Sequence, residues 1–163
     1  MQLAYLADHP EFYPLVAQWN WDEWHTLLVE RSAAEFEAWL RANVRRDAIP
    51  TTLLAFEDAA VVGTVSVMDY DLELSNDLSP WLASLYVPPS HRGKGLGRAL
   101  VQAAIDEAAR LGFRRAVVPR AAHGGSLPEV AGMEIVAVPS LREAISETLD
   151  GVAERVASAP ARC

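Results

Sequence analysis

Residues 92–97 read Arg-Gly-Lys-Gly-Leu-Gly, and no other stretch has residue types and spacing better suited to chemistry. A glycine-rich turn that opens a helix leaves backbone N–H groups pointing outward with no side chain in the way. The helix dipole adds partial positive charge at the same point. Arg92 and Lys94 add full charges, and Lys94 is the only lysine in the chain. Such a run predicts a cradle for phosphate or pyrophosphate. It is not a P-loop, because the four-residue spacer before Gly-Lys-Ser/Thr is missing. It is not the dinucleotide fingerprint either. Gly93, Gly95 and Gly97 alternate with single residues, and no βαβ unit with an acidic ribose ligand follows.

Other chemistries fit less well. Gly124-Gly125-Ser126 does not make the Gly-x-Ser-x-Gly elbow of a serine hydrolase. His9, His25, His91 and His123 do not pair at metal-ligand spacing, and Cys163 is the single cysteine, so no metal is expected. A net charge of −8 argues against a nucleic-acid partner bound through a basic field, and suits a cationic acceptor such as an amine. No apolar run approaches the ~20 residues of a membrane helix, so no membrane partner is expected. The opening Met-Gln-Leu-Ala-Tyr-Leu-Ala-Asp has no basic leader, and a cytoplasmic location is the expectation.

The elements that must position the loop can be read from pattern. Residues 2–7 read as a strand, and Pro10 opens a helix with Phe12, Leu15, Val16, Trp19 and Trp24 at helical spacing. Ser32-Ala33-Ala34-Glu35 is a capping box for a second helix to about Arg46. Residues 52–56 and 61–68 read as paired strands around a turn, with Gly63 marking a bulge. Residues 69–77 read as an acidic loop, and 80–87 as a strand stopped by Pro88 and Pro89, which have no N–H to donate. A helix over 97–111 with Gly112 as its cap, and strands at 114–118 and 133–138, complete the order. Ser140-Leu141-Arg142-Glu143 is a second capping box, opening a helix to about Ser158. Trp19 and Trp39 are expected in the core, with Trp21 and Trp24 beside a substrate cleft.

Strand, prolines, Arg92, Gly95, Gly97 and helix together resemble the acetyl-CoA pyrophosphate loop of the GNAT acyltransferase superfamily, Arg/Gln-x-x-Gly-x-Gly/Ala. The resemblance covers residues 2–118. It implies an α/β fold with a central mixed β-sheet flanked by helices, acetyl-CoA as co-substrate, and direct N-acetylation of a small amine or a peptide N-terminus. Carried onto this chain, it assigns the backbone of Leu85, Tyr86 and Val87 to the pantetheine arm. Arg92, Gly93, Lys94, Gly95, Leu96 and Gly97 take the pyrophosphate, with Arg98 adding charge. The family's acid, a tyrosine late in the chain, has no counterpart here, and Trp81 stands where a glutamate base often lies. Tyr86 is the remaining candidate acid, against a plain reading as a packed aromatic. Asp69 and Glu73 are the candidates for handling the amine, against a reading as a solvated acidic loop.

The C-terminal stretch departs from that pattern. Residues 103–150 are similar to the end of the Lon-protease-like domain found in Lon and RadA-type proteins, which suggests a chimera. The expected organisation is a GNAT-like part over 1–118, an atypical strand-loop-strand-helix segment over 119–158 completing the same domain, and a tail over 159–163. The C-terminal helix and strand are expected to offer a homodimer surface. Two rivals to the enzyme stay open: a CoA-binding module without turnover, and a scaffold without a ligand.

Overall fold

The computed structural model describes residues 1–26, 32–69, 79–119 and 130–139. Its strands are β1 (Gln2–Tyr5), β2 (Thr51–Glu57), β3 (Ala60–Met68), β4 (Trp81–Tyr86), β5 (Arg115–Pro119) and β6 (Glu134–Val138). Its helices are α1 (Tyr13–Trp24), α2 (Ala33–Asn43) and α3 (Leu96–Arg110), with short 3₁₀ turns at Leu6–Asp8, Pro10–Phe12 and Pro89–His91. The acidic loop with Glu73, the segment after Pro119, and the helix proposed from Ser140 onward, with its dimer surface, lie outside the described residues.

β1 to β4 form one antiparallel sheet in chain order, and β5 and β6 form a separate parallel pair. The fold is mixed α/β, as expected, but among the described residues no ladder joins β4 to β5. Pro88 and Pro89 end β4 itself, since they have no N–H to donate.

Helices cover both faces of the sheet. β2 explains how, because Thr51, Thr52, Leu53, Leu54 and Ala55 are all buried. Alternate residues of a strand point to opposite faces. Leu54 packs with Leu6, Tyr13, Val16, Ala17, Leu40 and Val44, under α1 and α2. Leu53 and Ala55 pack with Val62, Val65 and Val67 against Leu96, Leu100, Ala103 and Ala104 of α3. Trp39 sits partly buried beside the first of these clusters.

Local signals set the helix ends. The Ser32 hydroxyl accepts from the Glu35 N–H at 3.3 Å, and the Glu35 carboxylate accepts from the Ser32 N–H at 2.8 Å, so the capping box is real. α2 stops at Asn43 rather than near Arg46, because Val44 turns extended and the Arg45 N–H donates to the Pro50 carbonyl at 2.8 Å. Arg46 is drawn off to Asp8 at 2.9 Å. α3 ends in a Schellman arrangement: Gly112, at φ +101°, donates to the Ala109 carbonyl, and the Phe113 N–H donates to that of Ala108.

β1 is tied to α3 across the sheet edge. The Tyr5 hydroxyl donates to Glu107 at 3.0 Å, and Arg110 holds both oxygens of the same carboxylate at 2.8 and 2.9 Å. Glu107 is buried, and these charge-assisted bonds offset its loss of water. Partial burial and the neighbouring Glu107 carboxylate push the Tyr5 phenol above its ordinary pKa.

Gly63 is the tightest point between α3 and the sheet. A Cβ there would stand 2.8 Å from Leu100 Cδ1 and 3.0 Å from the Tyr86 carbonyl oxygen. The expected bulge lies beside it, between Ala55 and Phe56 of β2, with Val62 as the extra residue on β3.

Two outcomes follow from this packing. Gly63→Ala is expected to cost about 1–3 kcal/mol through overpacking against backbone, read as a lower urea midpoint with an unchanged slope. Tyr5→Phe is expected to lose about 1 kcal/mol at neutral pH with the Glu107 bond. A raised phenol pKa contributes stability below about pH 10 that is lost as pH climbs through the higher native value. Alkaline unfolding curves of Tyr5→Phe should therefore fall less steeply with pH than those of the parent.

Candidate functional site

The site is assembled where β4 runs out. Val87 leads to Pro88, and a 3₁₀ turn at Pro89–His91 is closed by the His91 N–H donating to the Pro88 carbonyl at 2.8 Å. Arg92 continues extended, Gly93 takes φ +78° and Gly95 takes φ +83°. Gly95 is the N-cap of α3, so the expected helix start falls one residue earlier than Gly97, at Leu96. The left-handed backbone at 93 and 95 is the reason for glycine at those two places.

Leu96 explains how the loop keeps its face open. Its side chain is 6% exposed and points into the core beside Leu100. Pinned there, it leaves its glycine neighbours on the outer side. A Cβ built at Gly93, Gly95 or Gly97 would meet nothing within 4 Å. No side chain caps the α3 N-terminus. The first intrahelical bond runs from the Ala99 N–H to the Gly95 carbonyl at 3.1 Å. The N–H groups of Leu96 and Gly97 precede that first bond. They sit at the positive end of its dipole, in front of open space.

Arg92 closes one side of that space. Its Nε donates to the Val87 carbonyl at 2.8 Å, and its guanidinium carbon lies 5.7 Å over the Tyr86 ring. One terminal nitrogen is 3.6 Å from the Glu23 carboxylate of α1. Tyr86 is also packed against Trp19, with centroids 5.1 Å apart, and edge-on to Trp24 at 6.4 Å. Trp19, expected in the core, is half-buried against Tyr86 instead, because α1 crosses the end of β4. Trp21 stacks on His25 at 4.7 Å, away from this group.

A cavity of about 330 Å³ lies between these parts. It brings together Leu85, Tyr86, Val87, Arg92, Gly93, Gly95, Leu96 and Gly97, the greater part of the residues expected from sequence. Lys94 and Arg98 flank it on the loop and first helical turn without lining it, both exposed. Asp69 is not in it. Met68 pairs with Trp81 at the opposite end of β4 from Tyr86, so Asp69 stands about 15 Å away along the strand, at ~3.3 Å per residue. Glu73 lies outside the described residues.

His91, which the sequence sets beside the loop facing solvent or phosphate, lines the cavity, with its Nδ1 2.9 Å from the Ser90 hydroxyl. Two features escaped sequence reasoning. Glu23 also lines the cavity. The signal for Glu23 was its place four residues after Trp19, on one face of α1. The other is a second bulge. Thr64 pairs with Tyr86 but Ser66 pairs with Ala83, so β4 carries an extra residue, and Ser84 takes φ +52°. No local pattern marks a serine for that conformation. The bulge turns β4 away from a regular ladder just before Leu85, leaving backbone polar groups of that strand for the cavity.

The family model described as Acetyltransferase (GNAT) family matches residues 13–124. Among solved structures, an aminoglycoside N-acetyltransferase in complex with CoA is similar at 17% identity. Its TM-score is 0.53, over 93% of this chain and 84% of that chain. A GCN5-related N-acetyltransferase from Ralstonia eutropha is similar at 18% identity, with a TM-score of 0.49 over 99% of this chain and 94% of that chain. No curated protein matches significantly. The likeness to the aminoglycoside N-acetyltransferase speaks to the fold alone, while the family match spans more than half of the chain.

Ser84→Val is expected to cost more than Ser84→Gly, by about 1–3 kcal/mol, because a β-branched residue resists positive φ where glycine does not. Urea unfolding of the two variants side by side measures the difference.

Proposed function

The chain belongs to the GNAT acetyltransferase family, and on that premise we propose that it transfers an acetyl group from acetyl-CoA to a small amine or a peptide N-terminus. The observation that carries this reading is the N-terminus of α3, without a side-chain cap and open over three glycines, set beside the end of β4, which among the described residues pairs only with β3.

In this reading the pyrophosphate lies on the N–H groups of Leu96, Gly97 and Arg98, with Arg92, Lys94 and Arg98 supplying charge. The amide-bearing pantetheine arm pairs with the backbone of Leu85, Tyr86 and Val87, as an added strand would. That brings the thioester to the bulged part of β4. The amine nitrogen attacks the carbonyl carbon, a C–N bond forms and the C–S bond breaks. A backbone N–H of the bulge steadies the oxyanion. The attacking nitrogen gives its proton to water, and the departing thiolate takes one from water. A thiol pKa of about 8.5 makes that sulfur an adequate leaving group without a dedicated acid. Tyr86, held between tryptophans and Arg92, serves as a wall of the acyl channel more than as an acid.

A second reading, CoA binding without turnover, is favoured by one fact: no tyrosine follows Tyr86 in the chain. The Lon-like likeness of 103–150, and the chimera it suggested, add nothing to either reading, since every residue used lies between Glu23 and Arg98. Residues 119–158 are read as completing the same domain. Among the described residues no group of acidic, histidine or cysteine side chains could hold a metal, and no helix is long and apolar enough to cross a membrane.

Millimolar acetyl-CoA is expected to raise the melting temperature. At a hundred times Kd the gain is about 2.7 kcal/mol, or about 5–10 °C for a domain of this size. Gly97→Glu, which keeps a helical backbone but sets a carboxylate in the cradle, should abolish the rise. A shift that survives this change would put the donor elsewhere. Thiol release on adding amines then separates an enzyme from a binding module.

A further inference from the structure

Glu23 is out of place in an anion site. The other ionisable side chains lining the cavity are His91, Arg92 and the phenol of Tyr86, and none of them is a carboxylate. Glu23 is carried by α1 rather than by the loop, on the same helical face as Trp19. Its carboxylate oxygen stands 3.6 Å from Arg92, beyond hydrogen-bond length, with 44% of the Glu23 side chain and 52% of the Arg92 side chain exposed. An ion pair so exposed is weak and easily exchanged. Arg92 is the firmer partner, since its Nε is fixed to the Val87 carbonyl at 2.8 Å. The surroundings already favour cations: the Tyr86 ring face holds the Arg92 guanidinium, and the rings of Trp19 and Trp24 pack beside it.

A pyrophosphate arriving at Arg92 brings negative charge next to Glu23. The carboxylate then loses its partner and faces a like charge. A cation supplied from the acceptor side restores the balance, and an uncharged acceptor does not. We propose that Glu23 is the specificity-determining residue that receives the acceptor as a protonated alkylamine, once the donor's pyrophosphate has taken Arg92 from it. This inference rests on the acetyltransferase reading. The ammonium gives its proton to water before attack, so Glu23 binds and orients the acceptor and is not assigned as the base. Donor binding and acceptor selection thereby share one side chain.

The test uses the full chain and Glu23→Gln. Calorimetry with CoA should show the variant binding about two- to fivefold tighter at low salt, because no carboxylate competes for Arg92, with the gain fading as salt screens it. Thiol release from acetyl-CoA is then followed with benzylamine, which is protonated at neutral pH, and with aniline, which is not. The apparent KM for benzylamine should rise about tenfold in Glu23→Gln, the loss of one charge-assisted contact. The KM for aniline should stay level, and Glu23→Asp should recover part of the benzylamine effect. Unchanged or weaker CoA binding in Glu23→Gln overturns the proposal. So does an equal effect on both amines, or a parent protein no faster with benzylamine than with aniline. A parent protein that does not bind CoA at all overturns the acetyltransferase reading, and Glu23 with it. Binding and turnover with a Glu23→Gln that behaves like the parent overturn only the assignment of Glu23.

Discussion

The close approach of α3 to the sheet at Gly63 determines where the N-terminus of that helix points. Leu100 Cδ1 occupies the space a side chain at 63 would need, and the Tyr86 carbonyl closes the other side. Leu96, one helical turn earlier, is buried in the same cluster. These contacts lock the first turn of α3 against the last residues of β4. The cradle and the strand edge face each other only because of that lock. Burying a leucine side chain yields about 1.5–3 kcal/mol, more than an exposed ion pair at the loop could contribute.

The site also resolves an electrostatic difficulty. The chain carries a net charge of −8, which disfavours anions at long range. Screening confines that field to about 8–10 Å at ordinary ionic strength. Inside this radius the local array decides: helix N–H groups left without intrahelical partners, the end of the α3 dipole, and Arg92 aimed by a backbone hydrogen bond. Glu23 is the one carboxylate among the described residues on the cavity wall, 3.6 Å from Arg92.

Strand β4 shows how irregularity can serve a site. A regular ladder would spend its N–H and C=O groups on a neighbour. The extra residue at the bulge interrupts the ladder with β3, and the two prolines after Val87 end the strand. The positive φ of Ser84 carries a cost of about 1–3 kcal/mol, borne by the surrounding packing. Elsewhere the ties are conventional, as where Glu107 joins β1 to α3 through Tyr5 and Arg110.

Much of this was legible in the chain because the causes are local. Glycines at 93 and 95 are needed for positive φ, Ser32 and Glu35 cap α2 through their own spacing, and Pro88-Pro89 end a strand wherever they stand. Other features depend on partners far apart in sequence. Glu23 joins the cavity only because α1 crosses the end of β4. Asp69 does not line the cavity because antiparallel register carries it to the other end of that strand. The bulge at Ser84 arises from pairing with β3, and the split between β4 and β5 from the geometry that follows. Residue type and spacing determined the glycine-rich loop and its helix. Tertiary packing alone decided what faces it, since only the folded sheet brings distant side chains within reach of the same few ångströms.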